Sequence, residues 1–148
     1  MEIIKVRIEE LETVSVLFDL YRQFYEQASD IDSAKEFLKD RITKNESVIF
    51  VAMDTETNSG MGFVQLYPAF SSVFMKRIWI LNDLFVHEDH RKKGVAESLI
   101  MASKGLAEKT DAKGLILETH STNHSAQKLY DKIGFKKDEE HFYYFLEV

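Results

Sequence analysis

Residues 79–100 read WILNDLFVHEDHRKKGVAESLI, and the way this run changes character along its length decides the fold. Trp79 to Val86 is apolar and strand-like, His87 to Lys93 is charged, and after Gly94 the residues Val95, Ala96, Leu99 and Ile100 recur at helical spacing. A strand that enters a helix through a basic glycine turn makes an anion cradle. The first N–H groups of a helix have no internal acceptors and lie at the positive end of its dipole, so a phosphate is favoured there twice over. Gly94 leaves room for a ligand, Ala96 keeps the first turn narrow, and Arg91, Lys92 and Lys93 add charge. Charge pattern alone also fits a solvated loop with ordinary surface lysines.

Outward from this run, strand and helix patterns alternate. Ile3 to Ile8 alternates apolar and polar residues as a first strand; Leu11, Val14, Leu17, Phe18, Tyr21, Phe24 and Tyr25 then follow helical spacing. A second helix is expected near Asp32, with Ser33 and Glu36 at capping-box spacing and Ala34, Phe37, Leu38 and Ile42 as its apolar stripe. Val48 to Met53 and Gly62 to Tyr67 read as antiparallel strands joined by a polar hairpin, DTETNSG. A long strand from Phe74 to Val86 precedes the helix Gly94 to Lys109; residues 66–77 read as a loop whose aromatics, Tyr67 and Phe70, wall an acceptor pocket. Beyond these come a strand at Leu115 to Thr119, a helix at Asn123 to Ile133 stopped by Gly134, and an aromatic strand at His141 to Glu147. The expected order is βααβββαβαβ, an α/β fold with a mixed sheet and helices on its faces.

With 148 residues, 45% of them hydrophobic, one domain spanning 1–148 and one core are expected. No cysteine is present, which removes thiol nucleophiles and Cys-type zinc sites. A net charge of -6 argues against nucleic acid as a partner and suits a cationic substrate. No apolar run reaches the ~18 residues of a membrane span, so a cytoplasmic protein without a membrane partner is expected. His87, His120 and His124 lack metal-ligand spacing, and no metal is implied.

The segment Arg91-Lys92-Lys93-Gly94-Val95-Ala96 resembles the (Gln/Arg)-x-x-Gly-x-(Gly/Ala) signature of the Gcn5-related N-acetyltransferases. Asn123, Ala126, Tyr130, Gly134 and Phe135 resemble the same family's Asn-x-x-Ala, Tyr and Gly-Phe positions. The resemblance covers nearly the whole chain and implies the acyl-CoA N-acyltransferase fold with a splayed central sheet. It implies acetyl-CoA as co-substrate, with the pyrophosphate on Arg91 through Ala96, Glu97 adjoining, and the pantetheine arm along the backbone of Leu84, Phe85 and Val86. Asn123 is implied in pantetheine binding, with Ala126 beside it. Tyr130 is implied as the general acid that protonates the departing sulfur.

Asn123, Gln127 and Tyr130 fall on one helix face, yet Ala126, Leu129, Tyr130 and Ile133 also read as a plain apolar stripe with the phenol at its rim. The polar pair Asn82 and Asp83 interrupts an apolar strand, and one of the two is expected to reach the cleft. Asp83 then either takes the amine proton through water, holds the ammonium by charge, or is a strand-edge residue satisfied by backbone donors. Asn82-Asp83-Leu84-Phe85-Val86 resembles the Glu-Asp-Phe-Phe-Val of the diamine and polyamine acetyltransferases, with one acid replaced. Tyr25 and Glu26 resemble a Tyr-Glu pair lining the amine pocket of that branch, and Tyr67 is a further candidate contact. The expected activity is direct acetyl transfer to a primary amine of a small molecule, by a homodimer. A protein N-terminus or lysine as acceptor, and a non-catalytic coenzyme A-binding sensor, are the competing readings.

Overall fold

The computed structural model describes every residue from Met1 to Val148, in two units, Met1–Glu118 and Thr119–Val148. The first begins with β1 (Glu2–Lys5) and two helices, α1 (Leu11–Phe24) and α2 (Ile31–Thr43). Strands β2 (Val48–Met53), β3 (Gly60–Ser71) and β4 (Lys76–Val86) follow, then α3 (Val95–Lys109) and β5 (Leu115–Ile116). The second unit holds α4 (His124–Ile133) and the chain after it. The sheet runs β1-β2-β3-β4-β5; the first four strands pair antiparallel, and β5 pairs parallel to β4.

The predicted stripe of α1 is buried from Leu11 to Phe18 and half-buried at Tyr21, while its last members, Phe24 and Tyr25, are exposed where the helix ends. Leu11, Val14, Leu17 and Phe18 join Ala34 and Leu38 of α2 over Ile49, Val51, Met53 and Phe63 of the sheet. Residues of the same strands that point the other way, Ala52, Val64 and Leu66, are also buried, and α3 packs across this second face with Val95, Leu99, Ile100 and Ala107. Period-two strands sandwiched between apolar helices therefore have no polar face to give to solvent.

One acid breaks the stripe of α1. Asp19 is 4% exposed and accepts hydrogen bonds from Ser29 Oγ at 2.6 Å, the Asp30 amide at 2.8 Å and Gln23 Nε2 at 3.0 Å. Burial pushes its carboxyl up, but these donors and Arg22 outweigh it and hold the group below the usual carboxylate range. The contact anchors the end of α1 to the start of α2. That start is capped by Asp30, which accepts from the Ser33 amide at 3.1 Å, so the cap lies ahead of the expected Ser33 and Glu36 box.

Other expectations shift as well. Residues 66–77 are no loop: the ladder between β3 and β4 continues from Leu66↔Leu81 to Ser71↔Lys76, and only residues 72–75 turn. Pro68 lies within this ladder, opposite Trp79. Because β2 ends opposite Leu66, β3 has a single neighbour beyond that point, and a residue lacking an N–H is tolerated on such an edge. Tyr67 and Phe70 are thus strand residues, and Phe70 is exposed with Arg77 lying 5.0 Å over its ring. The expected strand at Leu115 to Thr119 is reduced to two residues, and the expected first strand ends at Lys5. His141 to Glu147 forms no strand. Its residues are exposed, Phe142 by 84% and Tyr144 by 88%; strand propensity without a ladder partner does not make a strand.

Gly62 sets the spacing of β3 and β4. A Cβ there would lie 2.5 Å from the Phe85 carbonyl oxygen and 3.1 Å from Val86 Cα, both backbone atoms. Gly62→Ala is expected to push β4 away and lower stability by about 1–3 kcal/mol, measured by urea denaturation. Asp19→Asn should lower neutral-pH stability by about 1–3 kcal/mol. Because the native carboxyl is depressed, its contribution is present above the ordinary carboxylate range and fades as pH falls through the folded value. The wild-type advantage over the variant should therefore shrink in acid, which thermal melts from neutral to acid pH will show.

Candidate active site

The register of β3 on β4 slips by one residue at a single place, where Gln65 faces Asp83 and Leu66 faces Leu81. Asn82 is the extra residue of this bulge and is exposed, while Asp83 turns inward and is 5% exposed. Of the expected pair, then, the carboxylate is buried and the amide faces out.

Asp83 is held by neutral donors. Gln65 Nε2 donates to Oδ2 at 2.8 Å and Asn82 Nδ2 donates to Oδ1 at 3.0 Å, and the Tyr21 phenol of α1 lies near enough to favour the charged form. Gln65 is fully buried, and its Oε1 accepts from Ser47 Oγ at 2.8 Å, which fixes which end of the amide meets the acid. Burial raises the Asp83 carboxyl above the usual range, and the bonds from Gln65, Tyr21 and Asn82 only partly offset this. Its charge acts back on its neighbours. Burial and then Asp83 push the Tyr21 phenol far up, and burial and Asp83 push Tyr67 up to about 12, against the opposing pull of Arg41.

Aromatic rings enclose this acid on the α1 side. Tyr21 meets Phe63 edge-on at 5.8 Å, Phe85 at 6.4 Å and Tyr25 at 5.0 Å between ring centroids. Tyr25 is 56% exposed, and Glu26, also exposed, sits at φ 62 in the turn that ends the helix. Of the expected acceptor residues, Asn82 touches Asp83 directly, Tyr67 is near enough for the Asp83 charge to act on it, and Tyr25 packs on Tyr21, with Glu26 next to it in the chain. Sequence reading missed Tyr21, Gln65 and Ser47. Gln65 did carry a signal, as the lone polar residue in the run GMGFVQLY.

Past the bulge, β4 presents an open edge. β5 pairs with it only at Trp79 and Ile80, so Leu84, Phe85 and Val86 have β3 on one side and no strand on the other. This is the splay that the sequence implied. The chain then passes through a short 3-10 turn, tied to β3 by the His87 amide on the Met61 carbonyl at 2.9 Å, and Arg91 Nε donates back to the Val86 carbonyl at 3.3 Å.

Lys92 at φ 60 and Gly94 at φ 78 are both left-handed, and they aim the backbone into α3. Gly94 is the N-cap, no side chain caps the helix, and a Cβ built on Gly94 would meet nothing within 4 Å. The first amides of the helix, on Val95 and Ala96, are thus left without intrahelical acceptors, and Arg91, Lys92 and Lys93 are exposed beside them. Uncapped amides, an empty approach and three cations fit a pyrophosphate.

In the second unit, Asn123 is the N-cap of α4, its Oδ1 accepting from the Ala126 amide at 3.2 Å. Gln127 donates to the Ser121 carbonyl at 3.0 Å. Tyr130 packs edge-on to Phe135 at 5.7 Å, and Gly134 closes the helix at φ 108. The expected histidines serve their own backbone: His87 Nδ1 accepts from the Asp89 amide, and His120 Nδ1 from the Thr122 amide.

Gln65→Leu would leave Asp83 Oδ2 and Ser47 Oγ without their partner. The variant is expected to be less stable by about 1–3 kcal/mol in urea denaturation, and the Asp83 carboxyl should titrate higher still.

The acetyltransferase (GNAT) family model matches residues 14–135. The chain is 44% identical over 148 residues to an uncharacterized N-acetyltransferase, YhfO, of Bacillus subtilis (strain 168), covering 100% of this chain and 98% of that protein. It is 33% identical over 136 residues to a probable acetyltransferase of Haemophilus influenzae, covering 92% of this chain and 90% of that one. The crystal structure of a probable acetyltransferase superposes with a TM-score of 0.94 at 40% identity, covering 100% of this chain and 98% of that one. With the mixed sheet, the open strand edge and the glycine turn already in place, these matches show that the chain belongs to the acetyltransferase (GNAT) family and is an N-acetyltransferase, a class that draws its acetyl group from acetyl-CoA.

Proposed function

We propose that the protein transfers acetyl from acetyl-CoA to the primary amine of a small molecule, by direct attack within a ternary complex. One observation carries this reading: β4 bears a buried carboxylate at Asp83 and, starting at the next residue, an open backbone edge at Leu84–Val86. A single strand thus offers a proton acceptor and a docking edge side by side.

On this reading the backbone of Leu84, Phe85 and Val86 pairs with the amides of the pantetheine arm, as an extended ligand adds to a sheet edge. The turn from Arg91 through Ala96, with its backbone amides and its cations, holds the pyrophosphate, and Glu97 adjoins it. Asn123 and Ala126 line the pantetheine, and Tyr130 donates a proton to the departing sulfur; these roles rest on the motif positions in α4. Bound acetyl-CoA supplies a thioester carbonyl that an amine can attack.

The amine arrives as an ammonium and must lose a proton first. Asp83 takes that proton, and its raised carboxyl suits the task, since a base works best when its pKa lies near the operating pH. Asn82, Tyr25, Tyr67 and Glu26 contact the acceptor. Because Asn82 is neutral and Asp83 is the one buried acid here, a monoamine on an apolar or aromatic body fits better than a polycation. We place the enzyme in the cytoplasm and as a homodimer; the exposed run from Phe142 to Val148 supports association.

Steady-state assays with acetyl-CoA and a panel of small amines, polyamines, peptides with free N-termini and lysine peptides test the proposal. A small monoamine should give the highest kcat/KM; binding of acetyl-CoA without turnover of any amine would mean a sensor instead. Tyr130→Phe should keep acetyl-CoA affinity and lower kcat by about 10²-fold, the lower end for loss of a general acid.

A further inference from the structure

Two strands that the sequence predicts fall short in the single chain, and the two are complementary. β5 covers only Leu115–Ile116 of the predicted stretch to Thr119, and it is the last strand of the sheet, so one of its edges carries no partner. The run His141 to Glu147 has strand composition but no ladder, and Phe142, Tyr143, Tyr144, Phe145 and Leu146 are each at least 75% exposed. Both alternating sets of this run are apolar: Phe142, Tyr144 and Leu146 on one side, Tyr143 and Phe145 on the other. A strand of that kind suits a sheet covered on both faces, which is what α1, α2 and α3 make of this sheet, and suits water poorly. The helix ahead of the run is in a similar condition. α4 carries Ala126, Leu129, Tyr130 and Ile133 as an apolar stripe, yet it buries none of its residues.

We propose that residues 119–148 are exchanged between two copies of the chain, the run 141–147 of each adding to the free edge of β5 in the other. The exchange is reciprocal: each copy gives one arm and receives one, so the assembly closes at two. A single contact then covers both the free edge of β5 and the aromatic run, and it leaves the Leu84–Val86 edge of β4 open to the extended ligand proposed for it. Because α4 belongs to the same unit as the run, it travels with it. Asn123 and Tyr130 therefore come from the second copy, and each active site joins Asp83, the β4 edge and the glycine turn of one chain to α4 of the other.

The composite site rests on the roles proposed above for Asp83 and Tyr130, whereas the exchange does not, and two experiments keep them apart. The chain has no cysteine, so introduced thiols are unique. Two differently tagged chains, one Ile116→Cys and the other Tyr144→Cys, are co-expressed and treated with a short bis-maleimide. Exchange predicts a covalent product carrying both tags; cross-linking confined within a chain that bears both cysteines overturns it. For activity, Asp83→Asn and Tyr130→Phe chains are co-expressed. A mixed dimer then has one site with both changes and one with neither, so turnover should rise to about a quarter of wild type, from about a hundredth or less for either variant alone. If both variants alone are impaired and the mixture gains nothing, α4 serves its own chain and the composite site is wrong. Wild-type turnover in either variant alone overturns the role given to that residue, while the cross-link still decides the exchange.

Discussion

A carboxylate removed from water and met by neutral donors is among the less comfortable arrangements a fold can hold. Desolvation of a charge is penalised heavily, and amide or phenol hydrogen bonds recover only part of it. Asp83 is in that position. Its surroundings are arranged to keep it there: Gln65 is oriented by Ser47, Tyr21 is pinned by the α1 packing, and the bulge at Asn82 turns the acid inward. The clamp at Asp19 serves the same end from a distance, fixing the last turns of α1 on which Tyr21 and Tyr25 stand.

The same bulge joins the acid to the coenzyme side. Below it β4 is flanked by β3 and β5; above it only β3 remains, held close by Gly62. The strand then runs through residues 87–94 into α3, with Arg91 tied back to the Val86 carbonyl. The proposed base, thioester edge and anion cradle therefore follow one another along the continuous backbone from Asp83 to Ala96, and a displacement of β4 would disturb all of them.

Much of this was legible before any coordinates. The helix at Leu11–Phe24 was plain because its apolar positions keep their period for four turns, and the glycine turn at residues 91–94 because charge, Gly94 and the next stripe coincide. What stayed hidden depends on pairing. Gln65 stood alone in an apolar run; only the register Gln65↔Asp83, set by the bulge, shows that its amide has an acid to meet. The strand through Pro68 was lost because an edge position relaxes the rules used to find strands. The final aromatic run failed in the opposite sense, since propensity is necessary for a strand and a ladder partner is what completes it.

The open edge at Leu84–Val86 has a consequence for how such an enzyme changes over time. On the proposed reading main-chain groups hold the thioester arm, and main-chain groups are the same whatever side chains residues 84, 85 and 86 carry. On the same reading the acceptor meets side chains alone: a few rings on α1, the amide at 82 and the acid at 83. Mutation can therefore rework the choice of amine through a handful of positions while the donor half of the reaction is inherited intact, so that one scaffold is free to diversify in what it modifies without relearning how to hold what it spends.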